Sequence, residues 1–404
     1  MTARNDLSTS GGRPRRSRST AVRRRPADRR QQILDAAARA FSEGGYHAVR
    51  LDQIADDAGI SAAALYRHFP NKYALFCETT SGLAERLAVA IAGVESDQPD
   101  PRTELSELLA TIATTAIDNR RTGGLYRWES QYLDRSDAEP VRSVVITQHR
   151  RMRTQLIRIR PELSRADADL ITSAMTSVVA SPATHRASLP IRDAQTLLRD
   201  VAAGLVDVEL PVPRPEPPAP TGLAPSAKRE IILAASISLF AARGFHDVTI
   251  EEIGAASGVP ASGVYRHFSG KAAILEAAFW RASDRTTACI TDALAVSSTP
   301  REAIVELVRR YVEVWCGNRD LIMVYASEIG HLEPDRRTAL RRQQRINVEE
   351  WTTWVVRSRP ELGAARARYL VHAALAAISD LVRLDRSSEP ARIGPLAQRI
   401  LLGA

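Results

Sequence analysis

The sequence predicts an all-α protein made of one helical domain written twice, and three observations lead there. The first is a repeat. Arg30, Phe41, Gly45, His47, Ile54, Gly59, Tyr66, Arg67, His68, Phe69 and Lys72 recur 199 positions later as Arg229, Phe240, Gly244, His246, Ile253, Gly258, Tyr265, Arg266, His267, Phe268 and Lys271, with no gap. The same shift relates Arg158 through Leu163 to Arg357 through Leu362, and Leu197 and Gly204 to Leu396 and Gly403. A constant register over so long a span marks a duplicated unit. The second observation is periodicity: Ile33, Leu34, Ala37 and Phe41 form one stripe of a helix, and no segment alternates convincingly as a strand. The third is composition. Hydrophobic residues make up 44% of the 404 but aromatics only 5%, so the cores must be built from Leu, Ile, Val and Ala, which suits helices.

The chain divides readily. The formal net charge is +8, and residues 1–30, with ten Arg and two Asp, carry all of it. Residues 1–26 have almost no apolar content and should not fold alone; clustered arginines beside a globular body read as an arm for polyanions or as a solubilising tail. Seven prolines fall within 211–225, a stiff polyproline linker between the copies. The expected units are therefore the arm 1–26, a reading head at 27–87, a helical regulatory region at 88–210, the linker, a second head at 226–286 and a second regulatory region at 287–404. Stretches 103–119, 138–159, 165–181, 301–316 and 338–358 read as further helices. Asp28 with Gln31 resembles a capping box opening the first helix, and Gly45 and Gly244 should end theirs as αL caps. The Ala-rich stretches 173–180 and 373–377 would let helices approach closely and are the candidate surface between the halves.

No apolar run reaches the roughly 18 residues of a membrane span, and no apolar segment follows the basic N-terminus as in a secretory signal. Cys77, Cys289 and Cys316 match no zinc or redox spacing. A protein of the reducing cytoplasm, with no membrane, metal or cofactor, is expected.

The informative segments are 50–69 and 249–268. Leu51 to Ala58 reads as a short helix with Leu51, Ile54 and Ala55 inward; Gly59 breaks it where positive φ is needed, Ile60 plugs the turn, and Ser61 caps a second helix, Ala62, Ala63, Ala64, Leu65, Tyr66, Arg67, His68 and Phe69. In the other copy Thr249 and Glu252 form a capping box, Gly258 makes the turn and Pro260 opens the helix of Ala261, Ser262, Gly263, Tyr265, Arg266 and His267. Two short helices about a glycine turn are the helix-turn-helix geometry, whose second helix enters the major groove of double-stranded DNA.

Helix-glycine-helix alone is a weak signal. Here Phe41, Gly45, Ile54-Ala55, Ala58-Gly59-Ile60, Leu65-Tyr66, Phe69 and Lys72 follow in order, twice, and the sequence resembles the TetR/AcrR family of bacterial one-component regulators; the two-copy arrangement is similar to the tandem TetR regulators of actinobacteria. The resemblance implies a three-helix DNA-binding head followed by an effector-binding and dimerising helical bundle in each copy. It implies phosphate contact for Lys72 and Lys271, against the plainer reading of solvated lysines. It implies DNA-facing roles for Tyr66 and Tyr265, which could otherwise be core, and for His68 and His267, which could otherwise be caps. Arg50 departs from the family's usual Thr, present here as Thr249, and could grip a phosphate or groove edge. The first recognition helix offers Ala62, Ala63 and Ala64, the second Ala261, Ser262 and Gly263. Neither supplies a bidentate base-reading side chain near its start, so tyrosines, arginines and DNA shape carry the readout.

Tyr126, Trp128, Tyr325, Trp351 and Trp354 are candidate lining for a small-molecule effector pocket, although aromatics at helical spacing are more often plain core. No HExxH, GxSxG or P-loop is present, and Gly270-Lys271-Ala272 lacks the remaining phosphate-cradling residues, so an enzyme is not expected. The function expected is a DNA-binding transcriptional regulator, a repressor acting as a monomeric intramolecular pseudo-dimer and released by a small apolar effector. The alternative is a helical adaptor whose first helix-turn-helix alone binds DNA. Deleting residues 1–26 should flatten the slope of log K against log salt for DNA binding, because counterion release scales with the phosphates neutralised. Titrations at several salt concentrations check it; an unchanged slope means the arm does not touch DNA.

Overall fold

The computed structural model describes residues 26–403 except 97, 123–124, 126–131, 214–222, 224 and 385–389. The arm up to residue 25, most of the linker, Tyr126 and Trp128 therefore lie outside the described residues. Those described contain 17 α-helices and no strand. In the first copy these are α1 (Pro26–Gly44), α2 (Leu51–Asp57), α3 (Ala62–His68), α4 (Lys72–Ala92), α5 (Pro101–Asp118), α6 (Arg135–Ile159), α7 (Arg165–Ala180) and α8 (Ile191–Ala203). In the second they are α9 (Lys228–Arg243), α10 (Ile250–Ser257), α11 (Ala261–Tyr265), α12 (Lys271–Val296), α13 (Pro300–Cys316), α14 (Arg319–Ser327), α15 (Pro334–Ser358), α16 (Gly363–Leu384) and α17 (Pro390–Leu402). The repeat in sequence is a repeat in structure: α6 and α15, and α8 and α17, begin and end 199 residues apart.

Local chemistry sets the boundaries. Asp100 accepts from the amides of Arg102 and Thr103 at the start of α5, with Pro101 in the first turn, where a missing N–H costs nothing. Thr299 and Glu302 cap α13 reciprocally. Asp28 and Gln31, expected as a capping box, lie within α1 as described from Pro26, and the Gln31 amide donates to Asp35 at 2.9 Å. Gly45 and Gly244 end their helices with positive φ, but Gly244 has ψ 158°, extended rather than left-handed helical, so it releases the chain outward instead of curling it as an αL cap.

Each head packs its first helix on the long fourth one, with the second helix leaning on the first and the third on the second. Ile33, Phe41, Ile54, Leu65, Phe69, Leu75 and Phe76 fill the first head; Ile232, Phe240, Ile253, Val264, Phe268, Ile274 and Leu275 fill the second.

The regulatory bundles meet across α7 and α16. Both helices are apolar on more than one side, with Ala168, Ile171, Ala174, Met175, Val178, Ala373, Ala374, Ala377 and Ile378 at or near zero exposure. A helix buried nearly all round has two faces to satisfy; one packs on its own bundle and the other crosses to the opposite half. The Ala-rich stretches 173–180 and 373–377 lie on these helices. Polar contacts fix the register: Ser177 Oγ donates to Asp380 Oδ2 at 2.6 Å, the Arg392 guanidinium pairs with Asp167, and Arg399 Nε donates to the Gly204 carbonyl at 3.2 Å.

Candidate nucleic-acid interface

The helix-turn-helix units form as their turn chemistry requires. Gly59 and Gly258 both take φ of 66°. The Ile60 amide reaches back to the Ala55 carbonyl at 2.9 Å and that of Val259 to Gly254 at 3.0 Å, the six-to-one closure of a Schellman turn. At Gly254 a Cβ would sit 2.7 Å from the Val259 carbonyl, so this glycine, which periodicity did not single out, lets the second turn close tightly. Ser61 caps α3, accepting from Ala64 N at 3.2 Å. Thr249 and Glu252 cap α10 reciprocally, and Arg243 binds Glu252 at 2.7 Å. Hydrogen bonds from Arg243 and Thr249 push the Glu252 carboxyl down to about 2. In the first head Arg50 offers no acceptor, so Asp52 receives the Gln53 amide at 2.9 Å and binds the Arg50 guanidinium at 2.7 Å. Arg50 is exposed but held against this carboxylate.

The recognition helices present matching faces. Leu65 and Phe69 point inward, as do Val264 and Phe268. Ala62, Ala63 and Arg67 are exposed, Ala64 and His68 half-buried; Ser262, Arg266 and His267 are exposed, Ala261 and Gly263 half-buried. Tyr66 and Tyr265 are 54% and 56% exposed, large aromatics in water at equivalent positions. At Gly263 a Cβ would lie 3.2 Å from Val259 Cβ and 3.4 Å from Pro260 Cδ, so the missing side chain leaves the turn uncrowded.

Two clamps went unread in the sequence. Arg30 Nη1 donates to the His68 carbonyl at 3.0 Å with its guanidinium over the Phe69 ring, and Arg229 does the same to His267 and Phe268. A cation at the carbonyl end of each recognition helix satisfies groups that otherwise have no partner and opposes the helix dipole. The lysines are committed in a similar way. Lys72 Nζ donates to the His47 carbonyl at 3.0 Å, above the Tyr46 ring; Lys271 Nζ donates to the His246 and Val248 carbonyls at 3.1 and 2.8 Å, above Phe245. Each holds the loop before the helix-turn-helix to the start of the fourth helix.

The effector-pocket aromatics scatter. Trp351 is 1% exposed and packs edge-on against Tyr311, at 5.6 Å between ring centres. Tyr325 meets Phe279 and hydrogen-bonds Gln344. Trp354 is half-buried, donates to Glu350 at 3.0 Å and lies under Arg357. Tyr311, Trp315, Trp351 and Tyr325 thus form a closed core. A groove of about 650 Å³ opens instead in the first half between α1, α4 and α5, lined by Leu34, Asp35, Glu78, Glu85, Val89 and Asp118 among others.

The two heads touch. His47 and His246, equivalent loop residues, lie 4.0 Å apart between ring centres with their rings tilted. His331 completes the contact: its Nδ1 lies 3.1 Å from His246 Nε2 and its Nε2 lies 3.1 Å from the Glu328 carboxylate. Tyr132, which holds the position equivalent to His331, lies 4.7 Å from the His47 ring.

Two heads of three short-range helices, each with an exposed recognition helix carried on a helical bundle, define a double helix-turn-helix protein. The model for bacterial regulatory proteins of the tetR family matches residues 33–79 and again 232–278, and that of the tetracyclin repressor-like C-terminal domain matches 297–383. The chain belongs to the tetR family, and the family's model matches it twice, once on each head. It is similar to the transcriptional activator FasR of Mycolicibacterium smegmatis, 36% identical over 78 residues, covering 19% of this chain and 36% of that protein. It is also similar to the transcriptional repressor KstR2 of Rhodococcus jostii, 34% identical over 106 residues, 26% of this chain and 52% of that one. The aligned stretches thus span about a third to a half of these relatives. A solved TetR-family regulator from Bordetella parapertussis aligns with a TM-score of 0.41 at 20% identity, over 44% of this chain and 96% of that one.

The head contact should depend on pH. Burial, with His331 and Lys72 nearby, lowers the His47 pKa against the opposing pull of Asp247 and Glu328. Burial, His331, His47 and Lys271 lower that of His246 to about 4, against Glu328. The packed heads therefore prefer neutral imidazoles, while separated or unfolded ones protonate near the ordinary value of about 6.5. Their stabilisation is complete above about pH 6.5 and falls as pH drops toward 4. Denaturation across this range should show a smaller acid loss in His246→Gln than in the parent; equal losses would contradict the contact.

Proposed function

We propose that the chain is a DNA-binding transcriptional regulator, a repressor that grips one operator with two non-identical heads. The observation that carries this reading is the pair of recognition helices, each with its apolar side buried and an exposed Tyr-Arg pair, Tyr66-Arg67 and Tyr265-Arg266. Family membership supports DNA as the partner, and the KstR2-type relatives named as repressors support the sign of regulation. Arg50, Ser61, Ala62, Ala63, Ala64, Tyr66, Arg67 and His68 meet DNA from the first head, and Thr249, Ala261, Ser262, Gly263, Tyr265, Arg266 and His267 from the second. Lys72 and Lys271 set the height of the heads and lie at the phosphate level. A small apolar effector, bound in the helical bundles, shifts the heads and releases the operator. The chain acts in the cytoplasm as a monomer, the α7–α16 packing replacing the subunit contact of a dimer. No reaction is assigned to it.

The second head favours a second reading in one respect. Its recognition helix is shorter, five residues against seven, as an adaptor that binds DNA through the first head alone would allow. Anisotropy titrations of a selected operator decide. Arg67→Ala and Arg266→Ala should each weaken binding by about 1–3 kcal/mol, and an effect confined to Arg67→Ala means that one head reads. Because the heads differ at the helix start, an operator symmetrised on either half should bind more weakly by over about 1 kcal/mol. Equal affinity for both symmetrised sites and the natural one would show that the heads read alike.

A further inference from the structure

Arginines converge where the first head, the first bundle and the second bundle meet. Arg120 and Arg121 follow the end of α5 and Arg186 follows the turn after α7, while Arg337 and Arg341 lie on the first two turns of α15. The halves are in contact here. A Cβ on Gly330, just before α15, would lie 3.4 Å from the Gly44 carbonyl at the end of α1. Arg186 Nη1 donates to the Arg120 carbonyl at 2.9 Å and to that of His185 at 3.3 Å. Glu43 lies 3.8 Å from Arg121. Among the described residues it is the one carboxylate within ion-pairing distance of any of these five guanidiniums. Burial and their mutual repulsion lower the pKa of Arg186 and of Arg341, and each half contributes to the repulsion.

A second observation lies alongside. His185 is 6% exposed and its ring stacks on His372 of the other half at 4.2 Å. Its Nδ1 accepts from the Ala187 amide at 3.2 Å, which puts the proton on Nε2 in the neutral ring. Nε2 is buried with no hydrogen-bond partner among the described residues. The charges of Arg120 and Arg186 act on this ring, and Tyr369 lies edge-on to it at 4.8 Å. A buried donor left unpaired is costly, and like charges gathered without counter-charge add to the cost.

We infer that this junction is a binding site for a small molecule bearing phosphate groups, held by Arg120, Arg121, Arg186, Arg337 and Arg341 with His185 as a neutral donor. Planar guanidiniums match phosphate oxygens bidentately. The local charge excess suits a multiply charged anion better than a single carboxylate. Such a ligand ties the end of α1 in the first head to α5 and to α15 of the opposite half, so it fixes one head against the other bundle. The site is separate from the apolar effector site proposed above and does not depend on it.

The test uses the full chain with inorganic pyrophosphate, against sodium chloride at matched ionic strength. Calorimetry should give saturable one-to-one binding, and Tm should rise more than in chloride. Arg186→Gln and Arg341→Gln should each weaken binding about tenfold or more, the loss expected for one charge-assisted contact. Without the anion, Arg341→Gln should leave Tm unchanged or raised, because it relieves repulsion; a purely structural arginine would lower it. If Arg186→Gln unfolds the chain, Arg337→Gln on the opposite half takes its place with the same expectation. Equal affinity in parent and variants, or a Tm rise that follows ionic strength alone, would overturn the site. So would a loss confined to the salt slope of DNA binding, which would assign these arginines to the DNA backbone.

Discussion

The structure depends on the burial of α7 against α16. Each helix is too apolar to have only one buried side, and in each bundle only one side is covered by its own neighbours. Crossing the halves removes the remaining apolar surface from water, at roughly 25 cal/mol per Å², and alanines on the facing helices let the backbones approach. The polar contacts through Ser177, Asp380, Asp167 and Arg392 add little net energy but select one register among many sliding ones. Once that register is set, the positions of both heads follow, because each long fourth helix runs from its head into its bundle.

The heads depend on this arrangement in turn. Their meeting point is a cluster of imidazoles, His47, His246 and His331, that packs because the bundles bring equivalent loops together. Within each head, Arg30 and Arg229 anchor the recognition helix at its carbonyl end, and Lys72 and Lys271 hold the preceding loop. These four cations do the same work in both copies, whereas the groove-facing residues near the helix start differ. Duplication has therefore kept the scaffold of the heads and let the reading surface diverge.

Much of this was legible in the sequence because it is local or periodic. The glycine turns at 59 and 258, the Ser61 cap and the Thr249–Glu252 box depend on residues within a few positions of one another, and the repeat needs only register. Contacts between distant residues were not legible. Nothing in the sequence near Arg30 indicates that its guanidinium reaches a carbonyl 38 residues away. The committed lysines and the paired histidines of the heads depend on loops that the tertiary fold brings together. Asp28 read as a helix opener, but it lies within α1. The aromatics at 325, 351 and 354 illustrate the usual outcome for helical spacing: two join the closed core, and the third lies beneath an arginine.

If packing between the halves, rather than the covalent linker, holds the two heads in register, cutting the linker should change little. A protease site placed within residues 214–222 allows the intact chain to be cleaved after folding and then passed over a sizing column at native salt. The two fragments should elute together as a one-to-one complex of the parent's 44.3 kDa and bind operator DNA as the uncut chain does. Fragments that separate on cleavage would contradict it.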